Sequence, residues 1–308
     1  MTTEAHEWTT ADVPDLTGRR ALVTGVTSGL GEALVEELAR HGAEVLLAAR
    51  NPAKLAATVE RVRSDVSGAV VHPVLLDLAN QESVRLGAAD AASYGPLHLL
   101  VNNAGVMATP YQRTVDGFEL QMGTNVLGHF ALTGLLWPRL VESGGARVVN
   151  VSSVGHRMAR RPPLEDPRRP SPRYRRWPAY FASKLADLYV TFELDRRARE
   201  AGLPVHALAA HPGFAATGLV ASGGRPGAVT SIMDAAYSLV SQSPAAGAAP
   251  LLMAATADLP GGTYVGPGGP AELRGAPRVV GTSRLARDPE TARRFWEIAQ
   301  DATGVSYP

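Results

Sequence analysis

The sequence predicts an α/β protein: a single doubly wound domain whose seven-stranded parallel sheet carries helices on both faces. Three observations lead there. Short apolar runs alternate with longer segments of helical period along most of the chain, which is the pattern of repeated βαβ units. One such unit, Arg19 to Gly31 (RRALVTGVTSGLG), passes from strand to helix through a turn holding three glycines. The glycine turn, Asp77, Asn102–Gly105, Ser152-Ser153 and His211–Gly213 fall at the C-terminal ends of predicted strands, where open parallel sheets bind their ligands.

Residues 1–17 are polar and read as a flexible N-terminal extension to a domain spanning 18–308. Ala21, Leu22 and Val23, bounded by Arg19-Arg20 and Gly25, form a first strand apolar enough to be buried on both faces. Leu30, Leu34 and Leu38 recur at every fourth position with Ala33 beside them, so a helix starts inside the turn, and Gly42 stops it. Glu44 to Ala49 (EVLLAA) is a second strand, ended by Arg50-Asn51-Pro52; the next helix runs from Pro52, suited to a first turn, to about Val66. Val70 to Leu76 is a third strand leading into Asp77-Leu78. A helix over about Gln81 to Ser93 precedes the fourth strand, Leu97 to Val101, which meets Asn102-Asn103-Ala104-Gly105. A long helix covers Gly117 to Leu140. Arg147 to Val151 is a fifth strand ending at Ser152-Ser153, and another helix spans Ala179 to Ala201. Val205 to Ala210 is a sixth strand that ends at His211-Pro212-Gly213. Helical segments follow from about Ala228 and Ala245, with a short seventh strand at Thr263 to Val265 and a tail helix near Pro289 to Ala302. Right-handed crossovers then place helices on both faces of the sheet.

With 308 residues, 45% apolar and 19% charged, the chain can fill a large core and lies outside the disordered class. A net charge of +1 gives no global field to recruit nucleic acid or an anionic membrane. The lack of cysteine excludes disulfides and thiolate chemistry, and the eight histidines show no ligand spacing, so no metal site is expected. There is no leader pattern and no apolar run long enough to span a bilayer, so the expected location is cytoplasmic. Of the 30 basic residues, only Lys54 and Lys184 are lysines, which points to a need for a compact ammonium where one is kept.

The turn reads T-G-x-x-x-G-x-G from Thr24 to Gly31. Its glycines let the backbone turn tightly and approach a pyrophosphate, whose charge sits against the free N–H groups of the helix N-terminus. Taken alone, the same turn is equally an ordinary loop. Tyr180 and Lys184 are four apart on a predicted helix and share a face. A cation there lowers the phenol pKa, so that Tyr180 can exchange a proton with a substrate oxygen. An NAD-specific site places a carboxylate about 20 residues beyond the glycines, to bind the ribose 2′-hydroxyl. This chain instead has Ala48-Ala49-Arg50-Asn51, with Arg50 19 residues past Gly31 and no acid nearby. A guanidinium binds a 2′-phosphate through paired charge-assisted hydrogen bonds, with Thr27 and Ser28 as added donors, so the expected cofactor is NADP(H).

With Thr24–Gly31, Asp77, Asn102–Gly105, Asn125, Ser153 and Tyr180–Lys184 in place, the chain resembles the short-chain dehydrogenase/reductase family over roughly Leu16 to Gly266. The runs VNVSSVGHRM and AYFASKLADLYVTFEL are most similar to its branch of retinol dehydrogenases and protochlorophyllide reductases. The resemblance implies a Rossmann-type fold and an oxidoreductase that interconverts a carbonyl and an alcohol by hydride transfer. It implies a catalytic set of Asn125, Ser153, Tyr180 and Lys184. Tyr180 is then the general acid/base, and Lys184 also bonds to the nicotinamide ribose. Ser153 donates to the carbonyl oxygen, with Ser152 as the alternative if the strand ends one residue earlier. Asn125 fixes backbone around the lysine and a proton-carrying water. Around the cofactor the resemblance implies Thr24, Gly25, Thr27, Ser28, Gly29, Leu30 and Gly31 in the turn, with Arg50 and Asn51 after the second strand. It adds Asp77 and Leu78 at the adenine, and Asn103, Ala104 and Gly105 with backbone close to the cofactor. Pro212, Gly213 and Thr217 border the nicotinamide amide. Tyr180 and Lys184 belong to both sets.

One departure is the spacing of Ser153 and Tyr180, 27 apart where much of the family has a short loop. The intervening insertion, near 156–177, holds eight arginines and five prolines and should be an exposed loop. A solvated basic loop is favoured over a site for an anionic substrate or partner. The expected partner is a small carbonyl or alcohol substrate and not a nucleic acid, because the net charge of the chain is near zero; a homodimer and a homotetramer both stay open. Alternative functions are reduction of a conjugated C=C bond and non-catalytic NADP(H) binding by a regulatory protein, the latter opposed by the complete catalytic set.

Overall fold

A strand whose two faces are both apolar needs cover on both, and this requirement fixes the architecture. The computed structural model describes residues 7–169, 173–213 and 243–308. Eight strands, β1 (Arg20–Thr24), β2 (Glu44–Ala49), β3 (Val71–Leu75), β4 (Leu99–Asn102), β5 (Ala146–Val151), β6 (Val205–Ala210), β7 (Tyr264–Pro267) and β8 (Pro277–Val279), form one sheet in the order 3-2-1-4-5-6-7-8. All neighbours pair in parallel except β7 and β8. The helices are α1 (Gly29–Arg40), α2 (Pro52–Asp65), α3 (Gln81–Ser93), α4, α5 (Arg176–Glu200), α6 (Pro244–Thr256) and α7 (Pro289–Thr303). Helix α4 is continuous through Leu120–Met122, a π turn Gly123–Leu127 and Gly128–Glu142.

Side chains alternate between the faces along each strand. Val23, Leu47, Val101, Val149 and Leu208 pack under α1, α2 and α6, whereas Leu22, Leu46, Leu100, Val148 and Ala207 pack under α3, α4, α5 and α7. The strand order reverses between β1 and β4, which opens a crevice at their C-terminal ends. At the far edge β3 carries Pro73, a residue that cannot donate to a further strand.

Four elements differ from expectation. The sheet has an eighth strand, antiparallel and three residues long, too short for its sequence to show a period. Helix α4 starts at Leu120 rather than Gly117, because Gly117 adopts φ +87°, and α5 starts earlier than expected, at Arg176. Within the extension, a short turn at Thr10–Asp12 leads to Val13, which is buried against the α1, α2 and α6 layer with Trp8 and Leu16 packed beside it. The described residues of the basic insertion are largely exposed, but both arms are fastened. His156 is fully buried, the Glu119 amide donates to the Pro167 carbonyl (3.1 Å), and Arg168 lies over the Phe118 ring at 4.6 Å while donating to the Ala302 carbonyl (2.5 Å). On its other arm the Tyr174 hydroxyl donates to the Thr109 carbonyl (3.1 Å) and accepts from Gln121 (2.7 Å). The helix expected from about Ala228 lies outside the described residues.

A polar ladder crosses the centre of the sheet. Asn102 Nδ2, at the end of β4, donates to Asn150 Oδ1 on β5 (2.8 Å) and to Thr133 Oγ1 on α4 (3.1 Å). Asn150 Nδ2 donates in turn to Thr191 Oγ1 on α5 (2.9 Å). All four residues are buried, and a buried polar group left without its partner costs about 1–3 kcal/mol. Asn150→Val should therefore lower unfolding stability by about that amount. Denaturant titration measures it, and an unchanged midpoint would show that the ladder adds nothing.

Candidate active site

The glycine turn follows β1 and is locked to the end of β4. Gly25 has φ +74°, and a Cβ there would lie 2.8 Å from the Ala104 Cα; at Gly31 it would lie 2.3 Å from the Gly25 carbonyl oxygen. Neither position admits a side chain. Thr24 Oγ1 accepts from the amides of Asn103 and Ala104 (both 3.0 Å), and Asn103 Nδ2 donates back to the Thr24 carbonyl (2.8 Å). Ser28 is the N-cap of α1 but makes no capping bond with its side chain, so the first amides of the helix face the crevice without a side-chain acceptor. Thr27 and Gly29 are half-buried beside it, and Leu30 is buried.

Backbone register brings the adjoining residues to this turn. The Gly25 amide donates to the Ala48 carbonyl (2.9 Å), which places exposed Arg50 two residues beyond that contact. Asn51 caps α2, accepting from the Lys54 amide (2.9 Å). Ala49 pairs with Leu75 and its carbonyl accepts from the Leu76 amide (3.0 Å), so Asp77 leaves β3 at the same end of the sheet where Arg50 leaves β2. Asp77 accepts from the Ala79 amide (3.0 Å), while Asn80 caps α3, so Asp77 is not the helix cap. Leu78 is buried against Gly128 of α4.

The residues expected to form the catalytic set come from α4, the end of β5 and α5. Asn125 lies in the π turn, a feature frequent at functional sites. Its Oδ1 accepts from the Val106 amide (2.8 Å), and its Nδ2 donates to the Val106 carbonyl and to Ser183 Oγ, each at 3.0 Å. The segment after Gly105 is thereby clamped to α5 beside Lys184. Ser152 is buried and its hydroxyl donates to the Lys184 carbonyl (2.7 Å), whereas half-buried Ser153 only accepts, from the Gly155 amide (3.0 Å). The two serines differ in that respect: the Ser152 proton is engaged, whereas the Ser153 hydroxyl donates to no protein group among the described residues. Half-buried Tyr180 sits one helical turn before Lys184, whose Nζ is 5.9 Å from the tyrosine ring centre. Lys184 is buried and donates to the Val151 carbonyl (2.8 Å) and to Asp187 Oδ2 (2.9 Å). Burial opposes its charge, but Asp187 and then Tyr180 hold its pKa above the ordinary lysine value.

Three buried histidines frame the site. His129 Nδ1 faces the Asn125 carbonyl (2.8 Å) and must donate, so Nε2 accepts from Thr24 Oγ1 (2.9 Å). His156 Nδ1 likewise donates to the Ser153 carbonyl (2.7 Å), and its Nε2 accepts from the Ser283 amide (3.1 Å). His211 accepts from the Gly213 amide (3.2 Å) and donates to Glu272 (3.2 Å), fixing the start of the Pro212-Gly213 turn. Ala271 and Glu272 both hold positive φ, 53° and 57°, and Glu272 also pairs with Arg157 at 2.8 Å. Asp187, Glu272 and these histidines were not singled out by sequence; for Asp187 the signal was present, three residues beyond Lys184 on one helix face. Thr217 lies outside the described residues.

A glycine turn at the switch point of a doubly wound sheet defines the class of dinucleotide-binding α/β proteins. Residues 19–164 match the model of the family described as short chain dehydrogenase. Human retinol dehydrogenase 12 is 35% identical over 299 residues, covering 95% of this chain and 88% of its own length. Mouse polyprenol dehydrogenase is 37% identical over 301 residues, covering 95% and 86%. An uncharacterized protein from Mycobacterium paratuberculosis, 42% identical, has a crystal structure that matches with a TM-score of 0.81 over 98% of this chain and 100% of that chain. The chain belongs to the short-chain dehydrogenase/reductase family of NAD(P)-binding oxidoreductases, in the branch of the retinol dehydrogenases.

Burial pushes His129 and His156 down to about 4 and His211 down to about 3, so all three are neutral in the fold and bind protons only after unfolding. Their contribution is complete above pH 6.5 and is lost as pH falls from there towards 4. Asp187, raised by burial to about 6, acts in the opposite sense and offsets part of it. Stability should therefore fall steeply on acidification below pH 6.5, by more than about 1.4 kcal/mol for each histidine. His129→Gln should flatten that slope in a thermal unfolding series, and an equal slope in the variant would contradict the assignment.

Proposed function

We propose that this protein is an NADP(H)-dependent oxidoreductase that interconverts a carbonyl and an alcohol, with Tyr180 as general acid/base. The carrying observation is the buried Lys184 ammonium, held at the Val151 carbonyl one helical turn from Tyr180. A cation fixed there favours the phenolate that must form when Tyr180 gives its proton to a carbonyl oxygen. Ser153, whose hydroxyl accepts from Gly155 and still has its proton, donates to the same oxygen as charge develops. Asn125 holds Val106 and Ser183, and through them the backbone on either side of the lysine.

The residues present fit a dinucleotide. Gly25 and Gly31 leave no room for side chains in the turn, and the amides at the start of α1 suit a pyrophosphate. The third N–H of Lys184 is left for a ribose hydroxyl. When bound, the nicotinamide supplies or accepts the hydride. Arg50, exposed where an NAD-specific site keeps an acid, supports a 2′-phosphate partner.

The relatives named for retinol and polyprenol act on apolar alcohols, and the site has a matching rim. Trp177 is 43% exposed with its ring 6.2 Å from that of Tyr180, and Met158, 63% exposed, follows shortly after Ser153. We take the substrate to be a lipophilic alcohol or aldehyde. Among the described residues no helix is long and apolar enough to cross a membrane, and a cytoplasmic location is kept in the proposal.

Tyr180→Phe should reduce turnover at least about 100-fold while NADP(H) still binds, since positioned acid–base groups contribute about that much or more. Retention of a tenth of the wild-type rate would remove Tyr180 from the chemistry. Wild type should bind NADP(H) at least about tenfold more tightly than NAD(H), the low end of about 1.5–3 kcal/mol for hydrogen bonds to charged groups because Arg50 is exposed. Arg50→Ala should abolish that preference. Titration of both cofactors against both proteins checks it, and equal affinities in wild type would refute a role for Arg50.

A further inference from the structure

We propose that Asp187 is a positioning residue for the reacting site: its carboxylate holds the Lys184 ammonium charged and fixed beside Tyr180. The inference rests on the reading of Lys184 given above. Asp187 lies three residues further along α5 on the same face, and its Oδ2 is 2.9 Å from Lys184 Nζ. Both side chains are buried, at 8% and 7% exposed. An ammonium taken out of water without a counter-ion gives up its proton readily, by up to 3–5 pKa units when burial is complete. The Val151 carbonyl supplies a dipole to Lys184 but no charge.

The other groups facing this pair are electrically silent near neutral pH. On α4, His129 is neutral, pushed down to about 4, and Asn125 carries no charge. From β5 come Asn150, Ser152 and the Val151 carbonyl, all uncharged. On β7, buried Tyr264 is held well above the ordinary tyrosine value and stays protonated; the rings against it, His156 and His211, are neutral too. Arg157 and Glu272 pair with each other at 2.8 Å. On α5 itself, Thr191 bonds to the Asp187 carbonyl (2.7 Å) and tethers that turn to the ladder through Asn150. Among the described residues, Asp187 is thus the one carboxylate within ion-pair distance of Lys184.

A purely structural role would be filled as well by asparagine, which has the same shape and a carbonyl oxygen that accepts from Lys184. Asp187→Asn therefore separates hydrogen bond from charge. Removing one negative charge lowers the pKa of both neighbours, ammonium and phenol, so the direction is the same whichever of them controls an alkaline limb.

Because the chain has only Lys54 and Lys184, protein labelled with ¹³C-lysine gives two side-chain Cε signals, and Lys54→Arg identifies them. In wild type, Lys184 should stay charged past the ordinary lysine midpoint; in Asp187→Asn its midpoint should fall by about two units or more. The alkaline limb of carbonyl reduction should move down by about one unit or more in the same variant. A Lys184 midpoint unchanged by the substitution overturns the proposal. If Asp187→Asn does not fold, a wild-type Lys184 that titrates below the ordinary lysine value overturns it equally. Tyr180→Phe, run in parallel, keeps the questions apart: its activity bears on the assignment of Tyr180 alone, whereas the lysine titration requires no turnover.

Discussion

The hydrogen bond between Asn102 and Asn150 is the constraint from which the rest of the site follows. Two amides are placed side by side on adjacent strands, inside a sheet whose other central positions are Leu, Val and Ala. Each must find further partners or cost about 1–3 kcal/mol. Asn102 finds Thr133 on α4 and Asn150 finds Thr191 on α5. Those two helices carry Asn125 and the Tyr180–Lys184 pair, so satisfying the core amides also sets the register of these residues against the sheet. Thr133 and Thr191 both donate one turn back along their helices, to the carbonyls of His129 and Asp187. The ladder thereby ends on residues that touch the site.

From there the site is built by committing polar atoms until few remain free. Thr24 uses its hydroxyl on two β4 amides and His129, and Asn103 uses its amide on Thr24. Asn125 spends both ends of its side chain on Val106 and Ser183, and Ser152 spends its proton on Lys184. Among the described residues, the groups that stay available include the Ser153 proton, the Tyr180 hydroxyl, one N–H of Lys184, the first amides of α1 and the Arg50 guanidinium. Proton transfer, ribose binding and phosphate binding require those types of group. Neutral histidines suit such a place, since each bridges two polar groups without adding a charge that would compete with Lys184.

Much of this was legible in the sequence because periodicity and strand-end position survive without knowledge of contacts. Strands β1 to β7 and helices α1 to α3 fall within a few residues of expectation, for each combines an apolar run with a turn or cap signal. The short antiparallel β8 escaped because three residues, Pro277–Val279, carry no period, and its pairing with β7 is a tertiary event. Tyr180, Lys184 and the glycine turn stood out through spacing. Asp187 did not, because an acid on a long helix is usually a solvated one, and only the burial of α5 against β5 and β6 turns it into a counter-ion. Glu272 was beyond sequence reasoning altogether: its place beside His211 depends on two consecutive left-handed residues in a connection more than 60 positions away.

The basic insertion shows how the chain between the serine and the tyrosine can lengthen while both stay anchored. Ser153 and Tyr180 are separated by 27 positions, yet each is held by its own side of the insertion. On the first side, His156 is anchored between the Ser153 carbonyl and the Ser283 amide, and Gly155 packs against Phe181, so the chain returns to α5 within two residues of the serine. On the second, Tyr174 and the Arg176 carbonyl are bound by Gln121, which sets the start of α5 against the start of α4. Most of the described residues between these points are exposed, and Arg168, spread over Phe118, contributes packing more than charge. The added length is absorbed outside the two anchors, and the serine and tyrosine remain tied to the same helix.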